Sequence, residues 1–87
     1  MASCLTELKS AMIDGTDIEI VAYEYWDGYD DSVKYFVAVH DYDDVANVDY
    51  PTVEDIDAWD REDLEKKFRE AVHKYTVKSQ FREVSMR

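Results

Sequence analysis

A chain of 87 residues with 46% hydrophobic content allows one compact domain over residues 1–87 and excludes a disordered acidic tail. Its formal net charge of −11 repels phosphate backbones and anionic membranes and favours contact with basic macromolecules. Cys4 stands alone, Glu7 and Lys9 interrupt any apolar leader in residues 1–13, and no run reaches membrane-spanning length, so the expectation is a cytoplasmic protein without internal disulfides.

Taken in chain order, Ser3 is a candidate cap for a short helix over about residues 4–13, with Leu5, Leu8 and Met12 on one stripe. Gly15 then stands where helix C-termini place glycine. From Asp17 the period changes to two. Ile18, Ile20 and Ala22 alternate with Glu19, Val21 and Tyr23, predicting a strand to about Trp26. Asp27-Gly28-Tyr29-Asp30-Asp31 supplies a turn with Gly28 as the positive-φ candidate, and a second strand follows from Val33 to about Tyr42. These two strands predict an antiparallel hairpin.

Pro51 interrupts the next stretch. Thr52 with Asp55 fits a short capped helix, whereas Ile56 and Ala58 alternating with Asp57 and Trp59 fit a third strand, the reading that the alternation favours. Asp60, with Asp63 three positions on, opens a longer helix over about 61–75 whose buried stripe is Leu64, Phe68, Ala71, Val72 and Tyr75. Glu62–Lys66, Asp63–Lys67, Glu65–Arg69 and Glu70–Lys74 are spaced for i,i+4 pairing. Residues 76–84 read as a final strand or an ordered tail. The expected class is α+β: a short N-terminal helix, an antiparallel hairpin extensible to three strands, and a longer helix on one sheet face. So thin a core, burying roughly 60–65% of the unfolded surface, leaves room for homodimerisation.

The charge is unevenly placed. Residues 14–65 hold 18 Asp and Glu against Lys34 and Arg61, while residues 66–87 hold seven bases against Glu70 and Glu83. Most of those bases decorate the last helix, so direct nucleic-acid binding is disfavoured. Catalysis finds little footing. Cys4 with His40 or His73 lacks a glycine-rich oxyanion turn, and the abundant carboxylates have no cleft to flank. Asp41-x-Asp43-Asp44 and Asp27-Gly28-x-Asp30-Asp31 gather oxygen ligands without the offsets of a calcium loop. No cofactor or dedicated metal site is expected, and a small carboxylate-and-metal hydrolase is the minor alternative.

An interaction surface fits more of the chain. Between Asp41 and Glu65, 11 of 25 residues are acidic. In an extended strand, pairs such as Asp41/Asp43 and Asp55/Asp57 lie ~6.6 Å apart, about twice the ~3.4 Å axial charge spacing of one DNA strand. Tyr23, Tyr25, Trp26, Tyr29, Tyr42 and Tyr50 are interleaved with acids, and about half of them are assigned to cross-strand packing. The candidate partner-binding residues are Asp27, Tyr29, Asp30, Asp31, Asp41, Tyr42, Asp43, Asp44, Asp49, Tyr50, Asp55 and Asp57. The carboxylates supply charge, and the three tyrosines supply contact area.

Residues 60–75, Asp60-Arg-Glu-Asp-Leu64-Glu-Lys-Lys-Phe68-Arg-Glu-Ala71-Val72-His-Lys-Tyr75, resemble the helix of HicB-type antitoxins. That resemblance implies a helix following a small antiparallel sheet and neutralisation of a small basic toxin ribonuclease. In size, charge and aromatic content the whole chain is similar to small acidic phage-encoded inhibitors of host defence, including anti-CRISPR proteins. This implies a DNA-mimicking inhibitor in the host cytoplasm that occupies the basic nucleic-acid-binding surface of a nuclease or nucleoprotein complex. Both resemblances imply a non-enzymatic protein whose acidic face meets a basic, nucleic-acid-handling partner.

Overall fold

The structure, a computed structural model, describes residues 3–43 and 52–85, with side chains through residue 80. Four strands, β1 (Cys4–Met12), β2 (Ile18–Asp27), β3 (Ser32–Asp41) and β4 (Thr52–Ala58), precede one helix, α1 (Arg61–Ser85). The strands form a single antiparallel meander in the order β1-β2-β3-β4, and α1 lies across one face of it.

The central hairpin follows from composition. β-Branched and aromatic residues fill β2 and β3, and the two pair without interruption from Ile18↔Asp41 to Asp27↔Ser32. Positive φ falls on Asp31 at +57° and on Gly15, whereas Gly28 keeps a negative φ, so the hairpin turn takes its left-handed residue from an aspartate.

The expected N-terminal helix is instead the edge strand β1, and the sheet has four strands rather than two or three. The reason is a register shift between Glu7 and Lys9 in the pairing with β2. Such a bulge adds one residue to the strand, so Leu8 and Ala11, three apart, both pack against the helix-side core. Leu8 is the one member of the expected Leu5/Leu8/Met12 stripe that packs against this core. Leu5 and Met12, the other members of the expected stripe, are more than half exposed. Gly15, at φ +76°, closes the β1–β2 turn, where Ile13 N–H donates to Ile18 O at 2.9 Å and Thr16 N–H to Ile13 O at 3.1 Å.

α1 starts where Asp60 and Asp63 predict. Asp60 Oδ1 accepts from Asp63 N–H at 2.8 Å, and Asp63 Oδ2 accepts from Trp59 N–H at 3.0 Å, satisfying two donors at the helix entry. Leu64, Phe68, Ala71 and Tyr75 bury one stripe against Ile13, Ile20, Ala22, Val37 and Val39. The helix does not stop at Tyr75. Neither Gly nor Pro follows it, and Thr76 Oγ1 donates to Val72 O at 2.7 Å, so the β-branched Thr76-Val77 pair is absorbed and the expected strand or tail at 76–84 is helix to Ser85.

The anticipated i,i+4 pairs are not the ion pairs that form. Among the described residues the helix reaches the sheet instead: Lys9 Nζ donates to Glu65 Oε2 at 2.8 Å, Arg61 to Glu24 Oε1 at 3.4 Å, and Lys74 to Glu54 at 3.3 Å. Lys9 also pulls the Glu65 carboxyl below its usual range, through their hydrogen bond and then its charge.

Candidate partner-binding face

A strand exposes alternate side chains on opposite faces, so the register settles what shares the face that α1 leaves open. One row across all four strands reads Glu7↔Tyr23↔Phe36↔Asp57. The next reads Ser10↔Val21↔Ala38↔Asp55, and a third Met12↔Glu19↔His40↔Thr52. Val21 and Ala38 are buried although they point away from the helix-side core. The rings of Tyr23 and Phe36 stand beside them, centroids 5.2 Å apart and 26° from parallel.

Hydrogen bonds hold the Tyr23 and Tyr42 rings in place. The Tyr23 hydroxyl lies 3.3 Å from His40 Nε2, and Thr52 Oγ1 lies 2.9 Å from His40 Nδ1. Tyr42, just past β3, donates from its hydroxyl to Glu19 Oε1 at 2.7 Å. The carboxylates of this face crowd the phenols electrostatically. Burial first, then the charges of Glu7, Glu19 and Asp55, push the Tyr23 phenol above its ordinary range. The Tyr42 phenol is pushed up to about 12, first by its hydrogen bond to Glu19, then by burial and by the charge of Glu19.

The sequence-predicted residues divide into three groups. Asp27, Tyr29, Asp30 and Asp31 lie at the β2–β3 turn, and the carboxylates there close it. Asp27 Oδ1 accepts from Tyr29 N–H at 2.9 Å, Asp30 Oδ1 from Ser32 N–H at 3.0 Å, and Asp31 Oδ1 from Trp26 Nε1 at 2.9 Å. Hydrogen bonding from Ser32 holds the Asp30 carboxyl below the usual range. Tyr29 at the tip is 84% exposed. Asp41, Tyr42 and Asp43 lie at the opposite end of β3, roughly 30 Å away along the strand. There Asp41 Oδ1 accepts from Asp43 N–H at 3.0 Å, so this pair bends into a turn and does not hold the extended spacing.

Asp55 and Asp57 do hold it, both exposed on β4 and both on the open face. Asp44, Asp49 and Tyr50 lie outside the described residues. Glu7, Glu19, Phe36 and His40 belong to the face as well and went unrecognised in the sequence. Glu7 was hidden by the helical reading of β1, while Glu19, Phe36 and His40 were legible from the alternation of β2 and β3.

Other chemistry finds less. Cys4 is exposed on β1 opposite Trp26, at the far end of the sheet from His40, and His73 is exposed on α1. Among the described residues no three His, Cys, Asp or Glu side chains converge as a metal-binding group, and no helix is long and apolar enough to cross a membrane.

Fold and face together define a four-stranded antiparallel sheet backed by one helix, with aromatic and acidic residues on the side that α1 does not cover. Comparison with protein-family models, curated proteins and solved structures finds no match to the chain.

Proposed function

We propose that this protein is a non-enzymatic inhibitor that docks the helix-free face of its sheet onto the basic, nucleic-acid-binding surface of another protein. One observation carries the reading. Rings of Tyr23, Phe36 and Tyr42 sit among Glu7, Glu19, Asp55 and Asp57, while the three ion pairs found among the described residues all join α1 to the sheet. The charge is also uneven along the chain. Residues 1–60 hold 16 carboxylates against Lys9 and Lys34, whereas α1 holds seven bases against five acids. Concentrated negative potential on one side steers a cationic partner, and Tyr rings supply contact area at low entropy cost. Asp55 and Asp57, two residues apart on β4, present charge at about twice the axial spacing of a nucleic-acid strand.

This is the physics expected of an acidic anti-CRISPR-type inhibitor. A HicB-like antitoxin would use the same face against a small basic ribonuclease, and the order of sheet then helix suits that reading too.

The test is affinity capture of the partner from host lysate at low salt, followed by competition with nucleic acid. The variant Glu7→Lys/Asp55→Lys/Asp57→Lys, with its circular dichroism and melting temperature preserved, should lose the partner. Nucleic acid should displace the partner from the wild type. Undiminished capture by the folded variant would overturn the reading.

A further inference from the structure

The two sides of the sheet treat their aromatic rings differently. On the helix side, Lys9 Nζ stands 5.0 Å over the Phe68 ring, and Lys74 and Lys78 stand 5.4 and 5.5 Å over the Tyr75 ring. Two of these lysines also pair with a carboxylate, Lys9 with Glu65 and Lys74 with Glu54. Each is a cation held between a ring and an acid. The open face repeats the ring and the acid. In the row Glu7↔Tyr23↔Phe36↔Asp57, two near-parallel rings come from the middle strands and the carboxylates from the outer ones, and among the described residues no lysine or arginine stands over the rings. Lys34, the one base in β2 or β3, pairs across from Tyr25 one row nearer the hairpin turn.

We propose that this row is a receptor for arginine side chains, each guanidinium lying against the Tyr23–Phe36 ring pair and hydrogen-bonding to Glu7 or Asp57. The proposal rests on the docking function above and names the chemistry of its partner: a protein segment that presents arginine. A guanidinium is planar, so it stacks on a ring while offering paired N–H groups to a carboxylate; an ammonium meets only the charge. Neighbouring strands lie ~4.8 Å apart, which puts Glu7 and Asp57 about 14 Å apart across the row, far enough for each to serve its own guanidinium. A second copy of the chain fits poorly, because face-to-face pairing would bring Glu7, Glu19, Asp55 and Asp57 against themselves. The site is also pre-organised. Tyr23 is tied towards His40, and His40 is tied to Thr52, so binding orders little that is not already ordered.

The experiment compares a fluorescent oligo-arginine peptide with oligo-lysine of equal length, by anisotropy at physiological ionic strength, where unspecific charge attraction is screened. The wild type should prefer arginine about tenfold, the scale of one added cation–π contact. Phe36→Leu should keep affinity for lysine and lose most of the arginine preference. Asp57→Asn, at an exposed position, should lower arginine affinity more than lysine affinity, which keeps the test valid even where Phe36→Leu does not fold. Equal affinities for the two peptides in the wild type, or an arginine preference unchanged in both variants, would overturn the arginine receptor. Equal affinities that are salt-sensitive and abolished by Glu7→Lys/Asp57→Lys would overturn it while leaving the docking function standing. No binding of either peptide would remove both.

Discussion

The covered and open faces of this sheet are made of similar residues arranged to opposite ends. Beneath α1, Ile20, Ala22, Val37 and Val39 meet Leu64, Phe68, Ala71 and Tyr75, and the acids at the margin, Glu24, Glu54 and Glu65, are answered by the molecule's own Arg61, Lys74 and Lys9. On the open side, Val21 and Ala38 are just as buried, yet Tyr23 and Phe36 beside them remain partly exposed, with Glu7, Asp55 and Asp57 on their flanks. The lesson concerns internal complementarity. Among the described residues, the acids at the margin of the covered face pair with Lys9, Arg61 and Lys74, whereas Glu7, Asp55 and Asp57 on the other face form no ion pair.

The sharpest way to break this comparison is to cut a ring from each face. Phe68→Ala should cost ~3–5 kcal/mol in urea unfolding, because it empties a buried site. Phe36→Ala should cost only about 1–2 kcal/mol, since its ring already keeps part of its surface in water. Equal losses would mean that the open face is a second core and not a docking surface. A smaller effect is expected at the helix entry. Asp60→Ala removes the acceptor for Asp63 N–H and should lower stability by ~1 kcal/mol, loosening the covered face alone. An equal decline in peptide binding, measured while the protein is still folded, would show the two faces to be coupled.

Smaller again is charge reversal on the open side. Glu7→Lys and Asp57→Lys should each change stability by less than about 0.5 kcal/mol, as exposed charges do, while partner binding falls. The smallest effect is alkaline. The Tyr42 phenol, raised to about 12 from an unfolded value of 10.0, keeps its proton in the fold. The stabilisation from this shift is therefore fully present below pH 10.0 and is lost as pH rises through about 12. Tyr42→Phe should remove the latest step in the phenolate absorbance titration and flatten stability across that window. A titration unchanged by the substitution would detach Tyr42 from Glu19.

Much of this was legible beforehand. Alternation in 18–26 and 33–42 marks two strands, Asp60 with Asp63 marks a helix start, and the Leu64/Phe68/Ala71/Tyr75 spacing marks its buried stripe. The misreadings have separate causes. At residues 4–12 the Leu5/Leu8/Met12 spacing suggested a helix, but the segment pairs as a bulged strand that turns Leu8 to the core and leaves Leu5 and Met12 exposed. At Thr76 and Val77, β-branched residues argue for a strand, but a helix already held by its packed first half runs on through them. Clustering of acids along the chain likewise suggested one patch over 27–57, although the strand length of β3 separates Asp27–Asp31 from Asp41–Asp43.

What the amino-acid order determined by itself is local: the hairpin, the helix entry, the acidic excess before Glu65 and the basic excess after it. Those follow from side-chain periodicity, capping and charge within a few residues. Only the tertiary structure decided that Glu7, Tyr23, Phe36 and Asp57 form one row, and that Lys9 and Lys74 belong to the other face. Strand pairing puts residues 50 positions apart, Glu7 and Asp57, in one row, and a one-residue slip anywhere along it would turn every following side chain to the opposite side.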